Sequence, residues 1–146
     1  MTSFSELTAW GVRTLSTTSV TPRLDTELLL AFVSGQPRST ILAYPERHLD
    51  DMVGEVFRGL VDERGNDVPL AYLTGNKEFY SLSFAVNAAT LVPRPETEML
   101  VDLALAYVSR IDGPRILDLG TGSGAIALAV KHGCPSSRVT GIDLSV

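Results

Sequence analysis

Residues 116–125 read Ile116-Leu117-Asp118-Leu119-Gly120-Thr121-Gly122-Ser123-Gly124-Ala125. The apolar run over residues 115–119 predicts a buried β-strand, and apolar residues return at helical spacing over 125–130. Glycine stands at every second position between them, which lets the backbone turn at positive φ and lets a ligand lie against the main chain. A strand, a tight turn and a helix start are typical of a nucleotide site in a doubly wound α/β sheet.

Two carboxylates accompany this loop. Asp118 comes two positions before Gly120, and Asp143 follows a second apolar run, residues 139–142, which predicts another strand. A carboxylate at the end of that strand can accept hydrogen bonds from ribose hydroxyls. The plainer interpretation, a glycine-rich connection followed by a helix-capping aspartate, stays open at this point.

The composition limits the possible functions. The chain has 146 residues with 45% hydrophobic and 20% charged residues, which indicates a folded protein of one ordinary domain or two small ones. A formal net charge of −5 disfavours broad contact with a nucleic-acid backbone, which needs clustered Lys and Arg. Nucleic acid is therefore not an expected partner.

Several other features point to a cytoplasmic protein without a metal. Cys134 is the single cysteine, which suits a reducing compartment. The first residues lack the pattern of a signal peptide, and no apolar run approaches the roughly 20 residues of a membrane span. His48 and His132 have no second ligand at metal-binding spacing, so we expect no metal site.

The first 75 residues predict a small helical bundle. Ser3 and Glu6 have the spacing of a capping box, Thr21-Pro22 and Asp50 are predicted to begin later helices, and Gly35 is predicted to end one. Shorter helices are expected over 37–42 and 69–75. Asp25 and Glu27 lie two positions apart and therefore on different helix faces, so we expect both to be solvated.

The pattern changes after Gly75. Residues 78–80 and 83–86 predict a β-hairpin with weak turn chemistry, and Leu91-Val92 predicts a further short strand. A strong amphipathic helix is expected over 96–110, followed by the strand, glycine loop, helix and second strand described above. This order is half of a doubly wound parallel sheet.

Specific motifs give the chain a family resemblance. Residues 118–124 resemble motif I of the class I S-adenosylmethionine-dependent methyltransferases. Together with residues 69–75, Glu78-Phe79-Tyr80 and the stretch Pro93-Arg94-Pro95-Glu96-Thr97-Glu98, they resemble the release-factor glutamine methyltransferase family. The most specific element is the Pro-Arg-Pro-Glu-Thr-Glu stretch.

The resemblance implies an α/β fold in three parts: a helical bundle for substrate recognition over 1–75, a β-hairpin linker over 76–93, and an incomplete methyltransferase domain over 94–146 that ends after its second strand. It implies methyl transfer from S-adenosylmethionine to the glutamine amide of the Gly-Gly-Gln motif in peptide chain release factors. The implied cofactor residues are Asp118, Gly120, Thr121, Gly122, Ser123, Gly124 and Asp143. The implied cleft-lining residues are Pro93, Arg94, Pro95, Glu96, Thr97 and Glu98.

One departure and three alternatives accompany this resemblance. The family's catalytic signature, Asn-Pro-Pro-Tyr, does not occur in these residues, so we expect this chain alone to be inactive. The alternatives are a nicotinamide-dependent oxidoreductase, a nucleic-acid methyltransferase, and a non-catalytic fragment that binds a release factor. The glycine positions disfavour the first, because they do not follow G-x-G-x-x-G.

Overall fold

The structure is a computed structural model that describes residues 1–144. The chain divides into two compact units, Met1–Thr74 and Gly75–Val146. The first is almost entirely helical, and the second contains two small sheets with helices.

Five helices form the first unit. They are α1 (Phe4–Leu15), α2 (Pro22–Ser34), α3 (Arg38–Ala43), α4 (Asp51–Gly65) and α5 (Leu70–Thr74). Two short strands, β1 (Thr2–Ser3) and β2 (His48–Leu49), pair antiparallel and tie the N-terminus to the segment before α4.

The helix ends follow local chemistry. Ser3 and Glu6 form the predicted capping box, with the Glu6 amide donating to Ser3 Oγ at 3.2 Å and the Ser3 amide donating to Glu6 Oε2 at 2.9 Å. Asp50 caps α4 by accepting from the Met52 amide at 2.9 Å, and Gly35 ends α2 in the left-handed conformation. Thr21 precedes α2 as predicted, but its side chain makes no capping hydrogen bond.

The core of this unit lies where α1, α2 and α4 meet. Phe57 and Leu7 are fully buried there, and Trp10 packs edge-on against Phe57 with ring centroids 6.1 Å apart. Gly11 permits the close approach of α1 to α2, because a Cβ at this position would lie 2.6 Å from Thr26 Cγ2.

The expectation that Asp25 and Glu27 are solvated is wrong. Asp25 is 5% exposed and Glu27 is fully buried. Arg64 from α4 donates to Asp25 at 2.8 Å, while Arg23 and Arg38 bind the two oxygens of Glu27 at 2.8 and 2.7 Å. Each carboxylate is therefore buried in an ion pair with arginine, and Arg38 and Arg64 come from other helices.

The second unit begins with a hairpin and continues with an α/β arrangement. Its elements are β3 (Asn76–Phe79), β4 (Leu82–Ala85), α6 (Glu98–Val108), β5 (Arg115–Leu119), α7 (Ala125–Gly133) and β6 (Arg138–Ile142). A 3₁₀ turn, Pro95–Thr97, precedes α6, so the helix begins two residues later than predicted. The short strand predicted at Leu91-Val92 does not form, and this segment is irregular.

Strands β5 and β6 are parallel, as the order of elements predicts, with Leu119 opposite Ile142. Helix α7 packs against both strands and against α6, and buries Ala125, Ala129 and Val130. The expectation of a buried β5 is wrong: Leu117 is 57% and Leu119 is 69% exposed on one face, and Ile116 and Asp118 on the other face are only half-buried. The reason is that α7 covers only one side of this two-stranded sheet.

Candidate functional site

The glycine loop between β5 and α7 has the backbone that its sequence predicts. Gly120, Gly122 and Gly124 have φ angles of 72°, 52° and 76°, in the left-handed region that favours glycine. A Cβ built on Gly120 or Gly122 would meet no atom within 4 Å. This side of the loop is therefore open, and a ligand can approach the main chain there.

The loop is fixed against the end of β6. The amides of Gly120 and Thr121 both donate to the Ile142 carbonyl, at 2.8 and 3.0 Å. Two neighbouring amides thus share one acceptor, which places the start of the loop beside the last residue of the second strand. Parallel pairing of the two strands brings their carboxyl ends to one edge of the sheet.

Asp143 lies at this edge. Its Oδ2 accepts a hydrogen bond from the Gly122 amide at 2.8 Å, across 21 residues of sequence. A carboxylate offers about four lone-pair positions on two oxygens, so it can accept from a ligand hydroxyl while it holds the loop. The structure therefore brings together two of the predicted site residues, Gly122 and Asp143.

Asp118 also contacts the glycine loop, through Thr121. The hydroxyl of Thr121 donates to Asp118 Oδ2 at 2.8 Å, and Asp118 is half-buried. The side chain that precedes the glycines therefore orders the loop that follows it. This pairing gives Asp118 an internal role that its position in the sequence does not reveal.

The stretch of residues 93–98 forms a different arrangement. Pro95–Thr97 is a 3₁₀ turn, and the Thr97 amide donates to the Arg94 carbonyl at 3.0 Å. Glu98 Oε1 accepts a hydrogen bond from the Tyr80 amide at 2.8 Å. The sequence predicts Tyr80 in the hairpin and in a family motif, but it does not predict the contact with Glu98.

The helical unit has an open groove of about 620 Å³. It lies between α1, the first turns of α2, and α3, and it is lined by apolar side chains that include Val12, Ile41 and Leu42. Arg13 and Arg23 also line it, and the partner of Arg23 is the buried Glu27. The groove is thus mainly apolar, and its charged lining consists of Arg13 and the ion pair of Arg23 with Glu27.

Other chemistry is not assembled in the described part of the chain. Residues 1–144 contain no cluster of three His, Cys, Asp or Glu side chains that could hold a metal ion. Over the same residues no helix is both long enough and apolar enough to cross a membrane.

The fold is that of a mixed α/β protein with helices and small sheets, and its glycine-rich loop joins strand β5 to helix α7. Residues 6–75 match the family model described as PrmC N-terminal domain. The resemblance expected from the sequence is confirmed: the chain is similar to the release factor glutamine methyltransferases.

Curated relatives with this name match over most of the chain. The release factor glutamine methyltransferase of Vibrio cholerae is 46% identical over 126 residues, which is 86% of this chain and 44% of that protein. The Coxiella burnetii protein is 43% identical over 145 residues, 99% of this chain and 52% of that protein. The Escherichia coli protein is 46% identical over 125 residues, 86% of this chain and 45% of that protein. The chain spans about half the length of the curated relatives it matches.

Proposed function

We propose that this chain supplies the substrate-recognition and cofactor-binding parts of a release factor glutamine methyltransferase. The reaction moves a methyl group from the sulfonium of S-adenosylmethionine to the side-chain amide nitrogen of the Gly-Gly-Gln glutamine, and that nitrogen loses a proton. The observation that carries the proposal is the open glycine loop, with three glycines at positive φ, tied to Asp143. The names of the relatives support a release factor as the substrate.

The proposed cofactor contacts follow from the geometry of the loop. In residues 120–124 the main chain is accessible at Gly120 and Gly122, because neither has a Cβ. The methionine end of the cofactor would lie against this exposed main chain. Asp143 would accept a hydrogen bond from a ribose hydroxyl through a lone pair other than the one that Gly122 uses. Asp118 would act through Thr121 by ordering the loop. When bound, the cofactor supplies an electrophilic methyl group.

Each of the three parts of the chain would have its own task. Residues 1–75 would recognise the substrate, 76–93 would link, and 94–146 would form the first part of a Rossmann-like methyltransferase domain. The groove between α1, α2 and α3 is our candidate surface for the release factor, because it combines apolar lining with Arg13 and Arg23. Residues 93–98 would border the cleft. A protein that methylates release factors would act in the cytoplasm.

The reaction also needs groups that orient a weakly nucleophilic amide. In the family the Asn-Pro-Pro-Tyr signature provides these acceptors, and it does not occur in the 146 residues. Positioning and transition-state electrostatics account for most of the rate in such a transfer. We therefore expect no useful methyl transfer by this chain alone, and S-adenosylmethionine binding in the millimolar range or weaker.

The test is a transfer assay with labelled S-adenosylmethionine and an unmethylated release factor. Three proteins are compared: this chain, a fusion of this chain to the C-terminal half of the Escherichia coli relative, and that relative itself as the positive control. A release factor with the Gly-Gly-Gln glutamine replaced by alanine is the matched control. The proposal is supported if the fusion labels the intact motif and this chain by itself does not. An inactive fusion, or label on the altered motif, contradicts it.

A second candidate is a non-catalytic module that binds a release factor. The observation that favours it is the match of residues 6–75 to a domain model by themselves, together with their compact packing. Calorimetry with the whole chain and a release factor tests this candidate. Binding that is lost in an Arg13→Glu variant whose stability to urea is unchanged supports it, and the absence of binding by the wild-type chain rules it out.

A further inference from the structure

The tip of the β3–β4 hairpin has an unfavourable backbone. Phe79 pairs with Leu82, so the turn consists of Tyr80 and Ser81 alone. Both residues have positive φ, 51° and 58°. Two-residue hairpin turns with positive φ at both positions strongly prefer Asn-Gly or similar pairs, because other L side chains are strained there. The turn residues do not favour this conformation by themselves, so other groups must hold it.

Two carboxylates of α6 hold the turn. The Tyr80 amide donates to Glu98 Oε1 at 2.8 Å, and the Tyr80 hydroxyl donates to Asp102 Oδ1 at 2.8 Å. Glu98 and Asp102 are four residues apart and therefore lie on the same face of the helix. The hydrogen bond to Asp102 raises the pKa of the Tyr80 phenol above its ordinary value of 10.0. One residue of the hairpin is thus bound at both its main chain and its side chain.

These contacts also close a loop. Glu98 follows the 3₁₀ turn Pro95–Thr97 directly and is the first residue of α6. The bond from Tyr80 to Glu98 spans 18 residues, and the enclosed segment contains β4 and the whole of residues 93–97. Joining the ends of such a segment removes conformational freedom from everything between them.

We propose that Glu98 and Asp102 are positioning residues that clasp the strained Tyr80-Ser81 turn to α6 and so fix residues 93–97 in place. Their part in catalysis rests on the proposed function, in which residues 93–98 border the cleft. The clasp itself is a property of the 146-residue chain and is testable there. Glu98 acts as an acceptor for a backbone amide, so its oxygen rather than its charge is what the clasp requires.

Amide hydrogen exchange on the whole chain, resolved by residue, tests the clasp. We expect Glu98→Ala to speed exchange at Tyr80, Leu82 and Thr97 by roughly tenfold, because the Tyr80 amide loses its acceptor. Glu98→Gln keeps an acceptor oxygen and should stay close to the wild type. Glu78→Ala, on the exposed face of the same hairpin, is the matched control.

A glycine variant separates the clasp from a general effect on the helix. Ser81→Gly makes the turn conformation favourable without help. Combined with Glu98→Ala, it should restore slow exchange at Leu82 but not at Thr97, because the tie to α6 is still missing. Unchanged exchange in Glu98→Ala, or equal damage from Glu98→Gln, would overturn the proposal.

The catalytic consequence is measured in the fusion protein. Glu98→Ala should raise KM by about tenfold with a smaller change in kcat, and Glu98→Gln should restore KM. A loss of kcat that Glu98→Gln does not restore would make Glu98 a direct catalytic contact and contradict a positioning role. If the wild-type fusion transfers no methyl group, the proposed function fails, while the exchange rates still decide the clasp.

Discussion

The amide of Gly122 donates a hydrogen bond to Asp143 Oδ2 at 2.8 Å, which joins the middle of the glycine loop to the residue after β6. The two residues are 21 positions apart, and parallel pairing of β5 and β6 brings them together. The loop and the carboxylate therefore form one structure, and a change in either should alter both.

Asp143→Ala should loosen the glycine loop. The Gly122 amide loses its acceptor, so its hydrogen exchange should speed up by roughly tenfold. Asp143→Asn retains an acceptor oxygen and should have a smaller effect. Exchange measured at Gly122 in the whole chain checks this, with Asp112→Ala, an exposed carboxylate after α6, as the control. Equal exchange in all variants would show that Asp143 does not order the loop.

Glu27→Ala should destabilise the helical unit. The substitution removes the shared acceptor of Arg23 and Arg38 and leaves a space in the core. Since both arginines reach solvent, the expected cost is roughly 1–3 kcal/mol, less than for an ion pair whose remaining charge stays buried. Urea unfolding followed by the fluorescence of Trp10, the single tryptophan, reports on this unit. Glu63→Ala, at an exposed site on α4, should lie within about 0.5 kcal/mol of the wild type.

The pH dependence of this stability has a defined sign. Burial would raise the pKa of Glu27, but hydrogen bonds from Arg23 and Arg38 outweigh it, and the pKa is lowered from 4.5. A carboxyl group with a lowered pKa in the folded state stabilises the protein above its unfolded pKa, and this contribution is lost as the pH falls through the folded value.

We therefore expect the stability difference between the wild type and Glu27→Gln to shrink in acid. It should be constant from about pH 7 to about pH 5 and decrease below that, as Glu27 takes up a proton. Urea unfolding by Trp10 fluorescence at several pH values measures the difference. A difference that grows in acid would mean that Glu27 is not held ionised by its arginines.

Local sequence signals predicted the features that depend on neighbouring residues. The capping box at Ser3 and Glu6, the cap at Asp50 and the left-handed Gly35 each need only a few adjacent positions, and all are confirmed. Strand β5 was predicted with the bounds that the structure has, because its apolar run ends abruptly at Gly120.

Features that depend on distant partners were not predictable. The burial of Asp25 needs Arg64, which lies 39 positions away on another helix. The Tyr80 amide, in the turn with Ser81, donates to Glu98, which lies 18 positions further along the chain. In both cases the sequence shows a residue whose local preference is outweighed by a hydrogen bond from a different element. The role of Asp118 in ordering Thr121 is intermediate, because the pair is local but the loop geometry that joins it is not.

Two glycine substitutions within the helical unit should have opposite effects. A Cβ at Gly11 would lie 2.6 Å from Thr26 Cγ2 and 3.3 Å from Phe57 Cζ, so Gly11→Ala forces α1 and α2 apart. We expect a loss of roughly 1–3 kcal/mol from this overpacking. Gly59, in the exposed part of α4, has no atom within 4 Å of the position that a Cβ would take. Gly59→Ala should therefore stabilise the unit by roughly 0.5–1 kcal/mol, because alanine loses less backbone entropy in a helix.

Both variants report through Trp10, which packs against Phe57 and so senses the contact that Gly11→Ala disturbs. The free energies of unfolding in urea should move to opposite sides of the wild type, with the m-value unchanged for Gly59→Ala. The double variant should equal the sum of the two single changes, since Gly11 and Gly59 share no packing partner among the contacts that their added Cβ atoms would make. Stabilisation by both substitutions would show that α1 and α2 are not in close contact at Gly11, and destabilisation by both would show that Gly59 is not in an open position.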